Sequence, residues 1–385
     1  MSDRFRAQDF VEQACRQTGL DDFGCEGWRE GLERLVDSIN GEARLNRDGR
    51  QIFSLQVGAR LADRLRIVDW AKAHPEPCSR PIERPLFVTG MLRTGTTFVS
   101  ALLHCDPRNR SLMKWEVHDP IPPPERESFT SDPRIAKAVA QAEWRYDQLP
   151  LMRAVHYEPG DGPTECVFLL GQSFRSQEFS GLYKVPSYSR WHHSADLRPA
   201  YRHHRQALQV LQSRAPGRWC LKAPGHCFGL GAILELYPDA RVLVTHRDPV
   251  ESVPSAALPS VAGRSLEIHE DLDPRYWGEE WLRVLGESVE RMMEFRDAHP
   301  ELRVCDLFFE DLNRDPIGEM RRIYAFFGDA LEPAAEAAMR RHVERRPRHQ
   351  YGKVAYTPED FGLDAGRIRE RFARYTRRFE LGRSA

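Results

Sequence analysis

Short apolar runs alternate with stretches of helical spacing through the central part of the chain. Four runs are short and mostly apolar, which is typical of buried strands: residues 86–89, 218–221, 241–245 and 302–307. Apolar residues at helical spacing follow the first run, at Phe98, Leu102 and Leu103. Because strands that alternate with helices build parallel sheets with helices on both faces, we predict an α/β fold.

The first eighty residues show a helical pattern without such runs. Leu32, Leu35, Val36 and Ile39 recur at intervals of three and four residues, which places them on one face of a helix. Prolines at positions 75, 77 and 81 close this region. We predict a helical segment over residues 1–83 that packs on an α/β domain over residues 84–385.

Composition narrows the class of protein. The chain has 385 residues and a formal net charge of −1, so it can bury a large core but lacks the positive charge for bulk nucleic-acid binding. No run approaches the roughly 18 apolar residues of a membrane span, and the N-terminus lacks the apolar stretch of an export signal. The eight cysteines include no Cys-x-x-Cys pair, so we expect reduced thiols in a cytoplasmic protein.

A glycine-bounded loop follows the first predicted strand. Gly90 and Gly95 keep the spacing of the nucleoside triphosphatase loop G-x-x-x-x-G-K-[ST], but Thr96 stands at the lysine position. The cation lies inside the loop instead, at Arg93. Loop amides and the N-terminus of the following helix offer donors and partial positive charge to an anion. The pattern therefore predicts a cradle for an anion less charged than a triphosphate–metal complex, with Arg93 facing the transferred group.

Two more cations follow the ends of predicted strands. Lys222 directly follows the second run, and Arg247 lies just beyond the third. Ligands of open parallel sheets bind beyond the carboxyl ends of the strands, so we expect Arg93, Lys222 and Arg247 to form one anion site. A helix should begin after Arg247, and Pro254 predicts that this helix is short or bent.

Three motifs stand in order along the chain: an R-[ST]-G-T-T loop at Arg93, the run Leu-Lys-x-Pro-x-His at residues 221–226, and an R-x7-S pair formed by Arg247 and Ser255. Together they resemble the sulfotransferases that use 3′-phosphoadenylyl sulfate (PAPS), above all the bacterial branch called the third sulfotransferase family. The resemblance implies a P-loop-like fold and a donor site. The 5′-phosphosulfate would bind Arg93, Thr94, Gly95, Thr96 and Thr97, and the 3′-phosphate would bind Arg247, Ser255 and Lys353 of a basic C-terminal loop.

The resemblance also implies a reaction, in which the sulfuryl group of PAPS passes to an acceptor hydroxyl and adenosine 3′,5′-bisphosphate is released. Arg93 and Lys222 would stabilise the charge on the leaving nucleotide, so that no metal is needed. One candidate for the general base is Glu116, which follows Trp115 at about the place where related enzymes carry their proposed base. His226 is the other candidate, because histidine titrates near neutral pH.

Residues 120–215 form an insertion that is longer than an ordinary crossover connection needs. The insertion is rich in aromatic residues, and such walls are typical of small-molecule sites. We expect it to cover an acceptor pocket for a small-molecule, lipid or carbohydrate alcohol, with the aromatic content favouring a lipid-like one. Its two His-His pairs, at 192–193 and 203–204, lack an acidic partner at ligand spacing, so we predict no metal site.

Two other functions remain open at this point. A P-loop kinase-like phosphotransferase would need a lysine that reaches the phosphates and an acid that binds magnesium, and Thr96 replaces that lysine. A non-catalytic nucleotide-binding protein would keep the cradle without the chemistry.

Overall fold

The computed structural model of the chain describes residues 4–263, 265–271, 273–345, 350–352 and 354–382. Four helices precede the first strand: α1 (Ala7–Thr18), α2 (Trp28–Ser38), α3 (Arg47–Ala73) and α4 (Pro75–Cys78). A π-helical turn, Ile39–Ala43, continues α2. Phe10 of α1 and Phe53 of α3 share a buried cluster with Phe179 and Tyr183 from the middle of the chain. The N-terminal helices therefore share a hydrophobic core with the segment that was expected to cover the acceptor.

Five parallel strands form the sheet in the order β2-β3-β1-β4-β5. The strands are β1 (Leu86–Gly90), β2 (Asn109–Ser111), β3 (Arg218–Lys222), β4 (Arg241–His246) and β5 (Val304–Phe308). The predicted α/β fold with a parallel sheet is confirmed. β2 was not predicted because it has three residues, all polar or charged.

Long helical connections separate β1 from β3. They contain α5 (Thr96–His104), α6 (Lys114–His118), α7 (Pro133–Gln148), α8 (Pro150–Val155), α9 (Val167–Gly171), α10 (Gln177–Ser180), α11 (Pro186–Ser194) and α12 (Arg198–Gln212). A 3-10 turn, Pro224–Phe228, and α13 (Leu230–Leu236) then join β3 to β4.

Further helices follow β4 and β5. They are α14 (Pro249–Ala262), α15 (Ser265–Ile268), α16 (Pro274–Ala298), α17 (Phe309–Arg314), α18 (Pro316–Phe326), α19 (Pro333–Arg345), α20 (Ala365–Arg371) and α21 (Ala373–Arg378), with a 3-10 turn at Pro358–Phe361.

Both faces of the sheet are covered, because successive strand residues point to opposite sides. Leu86 and Val88 of β1 pack in a cluster with α5 and α18. Phe87, between them, packs in another cluster with α12 and α13. Val242 and Val244 of β4 pack with α14 and α16. A central strand that is buried on both sides supports loops rigidly at its carboxyl end.

The helix after Arg247 was predicted to be short or bent, and the structure shows that it is not short. α14 runs through 14 residues and contains both Pro254 and Pro259. Each proline removes one helical hydrogen bond, which was expected to end the helix early. Burial offsets this loss, since Val253, Ala256 and neighbouring residues of α14 pack against α16 in the core.

The strand order also locates the ligand crevice of the sheet. After β1 the chain moves toward β2, and after β4 it moves toward β5 on the opposite side. β1 and β4 are neighbours, so the order reverses between them. Ligands of open α/β sheets bind beyond the carboxyl ends of the strands at such a reversal.

Candidate active site

A cavity of about 1490 Å³ lies at the carboxyl edge of the sheet. Its wall includes the loop after β1, the start of α5, part of α14 and residues 354–358. On the other side it is lined by α3, by α7 to α10 and by the loops between them. The cavity therefore joins the predicted anion site to the N-terminal helices and the aromatic-rich insertion.

Close packing fixes the loop between β1 and α5. Gly90 has a φ of 138°, and a Cβ there would lie 2.4 Å from the carbonyl oxygen of Thr245 in β4. Thr94 is buried, and its hydroxyl donates to the Met91 carbonyl oxygen at 2.7 Å. Arg93 has a φ of 69°, which is rare for a residue with a side chain and is often found at functional sites.

The N-terminus of α5 is open to an anion. Gly95 occupies the capping position with a φ of 94°, and no side chain caps the helix there. Thr96 and Thr97 begin the helix and line the cavity. Helix N-termini carry amide donors without intrahelical partners and partial positive charge. The loop and α5 therefore form an anion cradle.

Arg93 and Ser255 meet across the crevice between β1 and β4. The Arg93 Nε donates to Ser255 Oγ at 3.1 Å. The rest of the guanidinium contacts the Val155 carbonyl oxygen at 2.8 Å and His156 Nδ1 at 3.3 Å. Burial lowers the pKa of Arg93 from its ordinary value. A buried guanidinium without a carboxylate partner is available to an anionic ligand.

Arg247 lies next to the same loop. Its Nη1 donates to the Arg93 carbonyl oxygen at 3.0 Å, and its guanidinium stacks over the Phe309 ring at 4.1 Å. Its Nε donates to Glu251 at 3.0 Å. Arg93, Ser255 and Arg247 thus lie together, whereas Lys353 and residues 346–349 of the basic C-terminal segment fall outside the described residues.

Lys222 ends β3 and lies behind the cavity wall: its side chain is 1% exposed and does not itself line the cavity, but it contacts Thr97, Glu158 and Glu165, which do. Its Nζ lies 2.6 Å from Glu165 Oε1, 3.5 Å from Glu158 Oε1 and 3.4 Å from Thr97 Oγ1. Burial acts to lower the pKa of Lys222, but the two carboxylates outweigh it and raise that pKa. Burial acts to raise the pKa of Glu158, and Lys222 and His156 lower it further than burial raises it. Lys222 is therefore a charged cation between two carboxylates.

Sequence reasoning missed these two carboxylates. Glu165 lines the cavity and is partly exposed, while Glu158 is buried. They lie 57 and 64 residues from Lys222 along the chain, so no local pattern joins them to it. Glu165 follows a Gly-Pro turn, which is the only local signal near it.

The structure corrects the prediction that Glu116 is a base. Its carboxylate is fully buried and accepts two hydrogen bonds from Arg110, at 2.9 and 2.7 Å. It also accepts from the Met113 amide at 2.8 Å, which closes the first turn of α6. Glu116 does not line the cavity. A carboxylate held by a paired arginine and a backbone amide is built to stabilise the fold.

His226, the other predicted base, does not reach the cavity either. Its ring is fully buried, with Nδ1 2.6 Å from the Tyr201 hydroxyl and a T-shaped contact with the Phe87 ring at 5.1 Å. Burial lowers the pKa of His226 well below its ordinary value. A weakly basic histidine that is enclosed by aromatic rings and does not line the cavity cannot reach a substrate there to accept its proton.

Among the described residues, no group of three or more His, Cys, Asp and Glu side chains could hold a metal ion. No helix in the described part of the chain is long and apolar enough to cross a membrane.

Known proteins resemble the chain over most of its length. A family model described as Sulfotransferase family matches residues 85–333. The crystal structure of sulfotransferase STF9 from Mycobacterium avium is 33% identical and covers 99% of this chain and 98% of its own, with a TM-score of 0.91. Sulfotransferase STF1 from Mycobacterium tuberculosis H37Rv is 32% identical and covers 97% of this chain and 100% of its own, with a TM-score of 0.85.

A curated relative matches more weakly. The omega-hydroxy-beta-dihydromenaquinone-9 sulfotransferase Stf3 of Mycobacterium bovis is 25% identical over 254 residues. That match spans 63% of this chain and 62% of the length of the relative.

Proposed function

The chain belongs to the sulfotransferase family, and on that premise we propose that it transfers a sulfuryl group from PAPS to the hydroxyl of an alcohol with an apolar body. The observation that carries this proposal is the anion cradle between β1 and β4. It combines an uncapped helix N-terminus with Arg93 and Arg247, and it has Thr96 where a nucleoside triphosphatase carries its lysine.

The donor would lie across the strand reversal. Arg93 and the loop through Thr97 would hold the 5′-phosphosulfate, because Arg93 and the uncapped N-terminus of α5 line the cavity together. Arg247 would hold the 3′-phosphate, since a guanidinium suits bidentate contact with phosphate oxygens. Ser255 would contact both the 5′-phosphosulfate and the 3′-phosphate. Its hydroxyl accepts a hydrogen bond from Arg93, and Ser255 lines the cavity on α14, one helical turn before Pro259, which also lines it.

The acceptor would approach from the β3 side. Glu165 would take the proton from the acceptor hydroxyl while the hydroxyl oxygen bonds to sulfur and the bond from sulfur to the phosphate oxygen breaks. Lys222 would stabilise the charge that develops on that leaving oxygen. An ammonium group has three donors, so Lys222 would keep Glu165 and exchange one of its longer contacts, Thr97 at 3.4 Å or Glu158 at 3.5 Å, for the leaving oxygen.

An apolar acceptor body suits the remaining wall of the cavity. Leu182, Leu258 and Trp281 line it, and Leu55 of α3 stands at its edge with 66% of its surface exposed. The relative Stf3 is named as a sulfotransferase of omega-hydroxy-beta-dihydromenaquinone-9, a lipid alcohol. This similarity supports a lipid-like acceptor for this chain as well.

A calorimetric titration tests the donor site. We expect adenosine 3′,5′-bisphosphate to bind the purified protein more tightly than ATP–magnesium or AMP, and Arg247→Gln to weaken that binding at least tenfold. The matched control is Arg369→Gln, which removes an exposed arginine of α20 and should not change the affinity. Equal or tighter binding of ATP–magnesium would overturn the proposal in favour of a phosphotransferase. Tight bisphosphate binding without turnover on any alcohol would indicate a non-catalytic nucleotide-binding protein.

A further inference from the structure

Among the described residues, more cationic than anionic side chains line the cavity. All four lining carboxylates are paired with a cation: Glu158 and Glu165 with Lys222, Glu178 with Arg60, and Glu251 with Arg247. Within the described part of the chain, three lining cations make no salt bridge to a carboxylate: Arg93, Lys114 and Arg145. Arg93 belongs to the donor cradle, which leaves Lys114 and Arg145 to be explained.

These two cations lie on the acceptor side of the sheet. Lys114 begins α6 directly after β2, and β2 is the edge strand beyond β3. Arg145 projects from α7, which packs against α6. Arg247 follows β4, on the other side of β1. In the strand order, β3 and β1 therefore lie between the strand before Lys114 and the strand before Arg247 of the proposed 3′-phosphate site.

Lys114 has a backbone partner but no counter-ion in contact. Its Nζ donates to the Glu158 carbonyl oxygen at 3.2 Å. The carboxylate of the same residue points to Lys222 and to His156, at 3.5 and 3.6 Å. A carbonyl oxygen satisfies one of the three ammonium donors and leaves the charge uncompensated.

Neighbouring charges confirm that this part of the wall is positive. Burial lowers the pKa of Lys114, Glu158 opposes that change, and Arg145 and Lys222 lower the pKa further. His118, at the end of α6, lines the same region. Burial, together with Arg60, Lys114 and Arg145, lowers its pKa to about 3, so its ring is neutral and adds no counter-charge. Lys114 is half-buried and Arg145 is exposed, and like charges that lie together are unfavourable unless a ligand supplies the opposite charge.

We propose that Lys114 and Arg145 form a second anion subsite, which binds an anionic group of the acceptor alcohol. The acceptor is then an alcohol that also carries an anionic group, either a carboxylate or a phosphate monoester. Its apolar part lies along the α3 and α14 side of the cavity. This proposal rests on the proposed function. Lys222 and Glu165, which would act on the reacting hydroxyl, lie between the subsite and the donor cradle, so the subsite lies beside that hydroxyl.

The test measures binding rather than turnover. The full chain is saturated with adenosine 3′,5′-bisphosphate, which keeps anions out of the donor cradle, and is titrated calorimetrically. The probes are ω-hydroxy fatty acids of graded chain length, each beside its neutral methyl ester, and hydroxyalkyl phosphates, each beside its neutral dimethyl ester. We expect at least one acid to bind tenfold or more tightly than its ester, because a charge-assisted contact is lost in the ester.

Variants show whether these two cations carry that preference. Lys114→Gln and Arg145→Gln should each reduce the ratio of acid to ester affinity about tenfold, and Lys114→Arg should retain most of it. The matched control is Lys137→Gln, which removes an exposed charge from the same α7 and should leave the ratio unchanged.

Several outcomes would overturn the subsite. Every ester could bind as well as its acid, or both glutamine variants could keep the wild-type ratio. Lys137→Gln could reduce the ratio as much as Lys114→Gln, which would indicate a diffuse field instead of a site. Lys114→Gln could weaken bisphosphate binding as strongly as acid binding, which would assign Lys114 to the donor. An intact acid preference without any sulfuryl transfer would instead contradict the proposed function and leave the subsite standing.

Discussion

Lys222 Nζ lies 2.6 Å from Glu165 Oε1, so the end of β3 and the loop before α9 meet in one ion pair at the cavity wall. The pair puts a cation for the leaving group beside a carboxylate that can accept a proton. Because Lys222 is 1% exposed and Glu165 is 18% exposed, the carboxylate is the member that the acceptor can reach. This arrangement gives the two side chains different proposed roles.

We expect Glu165→Gln to lower kcat by about 10²-fold or more, because a positioned general base typically contributes that much. The measurement is initial-rate kinetics with PAPS and an alcohol acceptor. The loss should shrink for phenols acidic enough to ionise at the assay pH, since an ionised hydroxyl needs no base. Glu83→Gln, at an exposed position, is the matched control. Near-wild-type kcat in Glu165→Gln would remove Glu165 from the mechanism.

We expect Ser255→Ala to lower kcat about tenfold, because the hydroxyl accepts a charge-assisted hydrogen bond from Arg93 Nε and positions that guanidinium. The measurement is a double-mutant cycle with Arg93→Lys, which has no Nε donor. In the Arg93→Lys background, Ser255→Ala should have little further effect on kcat. An equal loss in both backgrounds, with weaker bisphosphate binding in each, would mean that Ser255 acts on the 3′-phosphate alone.

The donor side of the site could be predicted from the sequence because its signals are local. Arg93 and Arg247 lie just beyond β1 and β4, Lys222 ends β3, and parallel strands bring their carboxyl ends to one edge. The same short stretches carried the family resemblance, which the comparisons confirm. The roles assigned to individual site residues stay predictions.

The acceptor side could not be predicted in the same way. Glu158 and Glu165 meet Lys222 only because the chain returns to β3 after several helices. Glu116 was misassigned because its partner, Arg110, lies on β2, a strand too short to be recognised. Without that strand, nothing in the sequence indicated that the carboxylate was already paired.

We expect Glu116→Gln to destabilise the fold more than it impairs the reaction. Breaking a buried ion pair leaves Arg110 with an uncompensated charge, which costs about 3–5 kcal/mol of unfolding free energy. The measurement is urea unfolding, with Glu279→Gln in an exposed pair as the control that should lose less. The kcat of the folded fraction should fall far less than in Glu165→Gln. A kcat loss of 10²-fold with unchanged stability would restore Glu116 as a base.

We expect Gly90→Ala to disrupt the anion cradle. The added Cβ would lie 2.4 Å from the Thr245 carbonyl oxygen, and a φ of 138° is strained for alanine. The strands β1 and β4 would have to separate at the donor crevice, so thermal stability and bisphosphate affinity should both fall. Gly58→Ala in α3 is the control, since open space surrounds that position and alanine favours helix. Wild-type melting and binding in Gly90→Ala would show that the close approach is not required.

We expect the contribution of Asp306 to stability to disappear in acid. Burial acts to raise the pKa of Asp306, but His246 and Arg296 outweigh it and lower the pKa from 3.8 to about 2. Because the folded-state pKa is the lower one, the stabilisation is present above pH 4 and is lost as the pH falls toward 2. A difference of nearly two pKa units corresponds to about 2 kcal/mol.

Urea unfolding at pH 7, 4 and 3 checks this expectation. Asp306→Asn should be about 2 kcal/mol less stable than the wild type at pH 7, and the difference should narrow between pH 4 and pH 3. Asp37→Asn, at an exposed position of α2, should show no such dependence. A difference that stays constant with pH would mean that the asparagine acts through packing. It would then follow that the His246–Asp306 contact at 2.8 Å does not stabilise the end of β4 through charge.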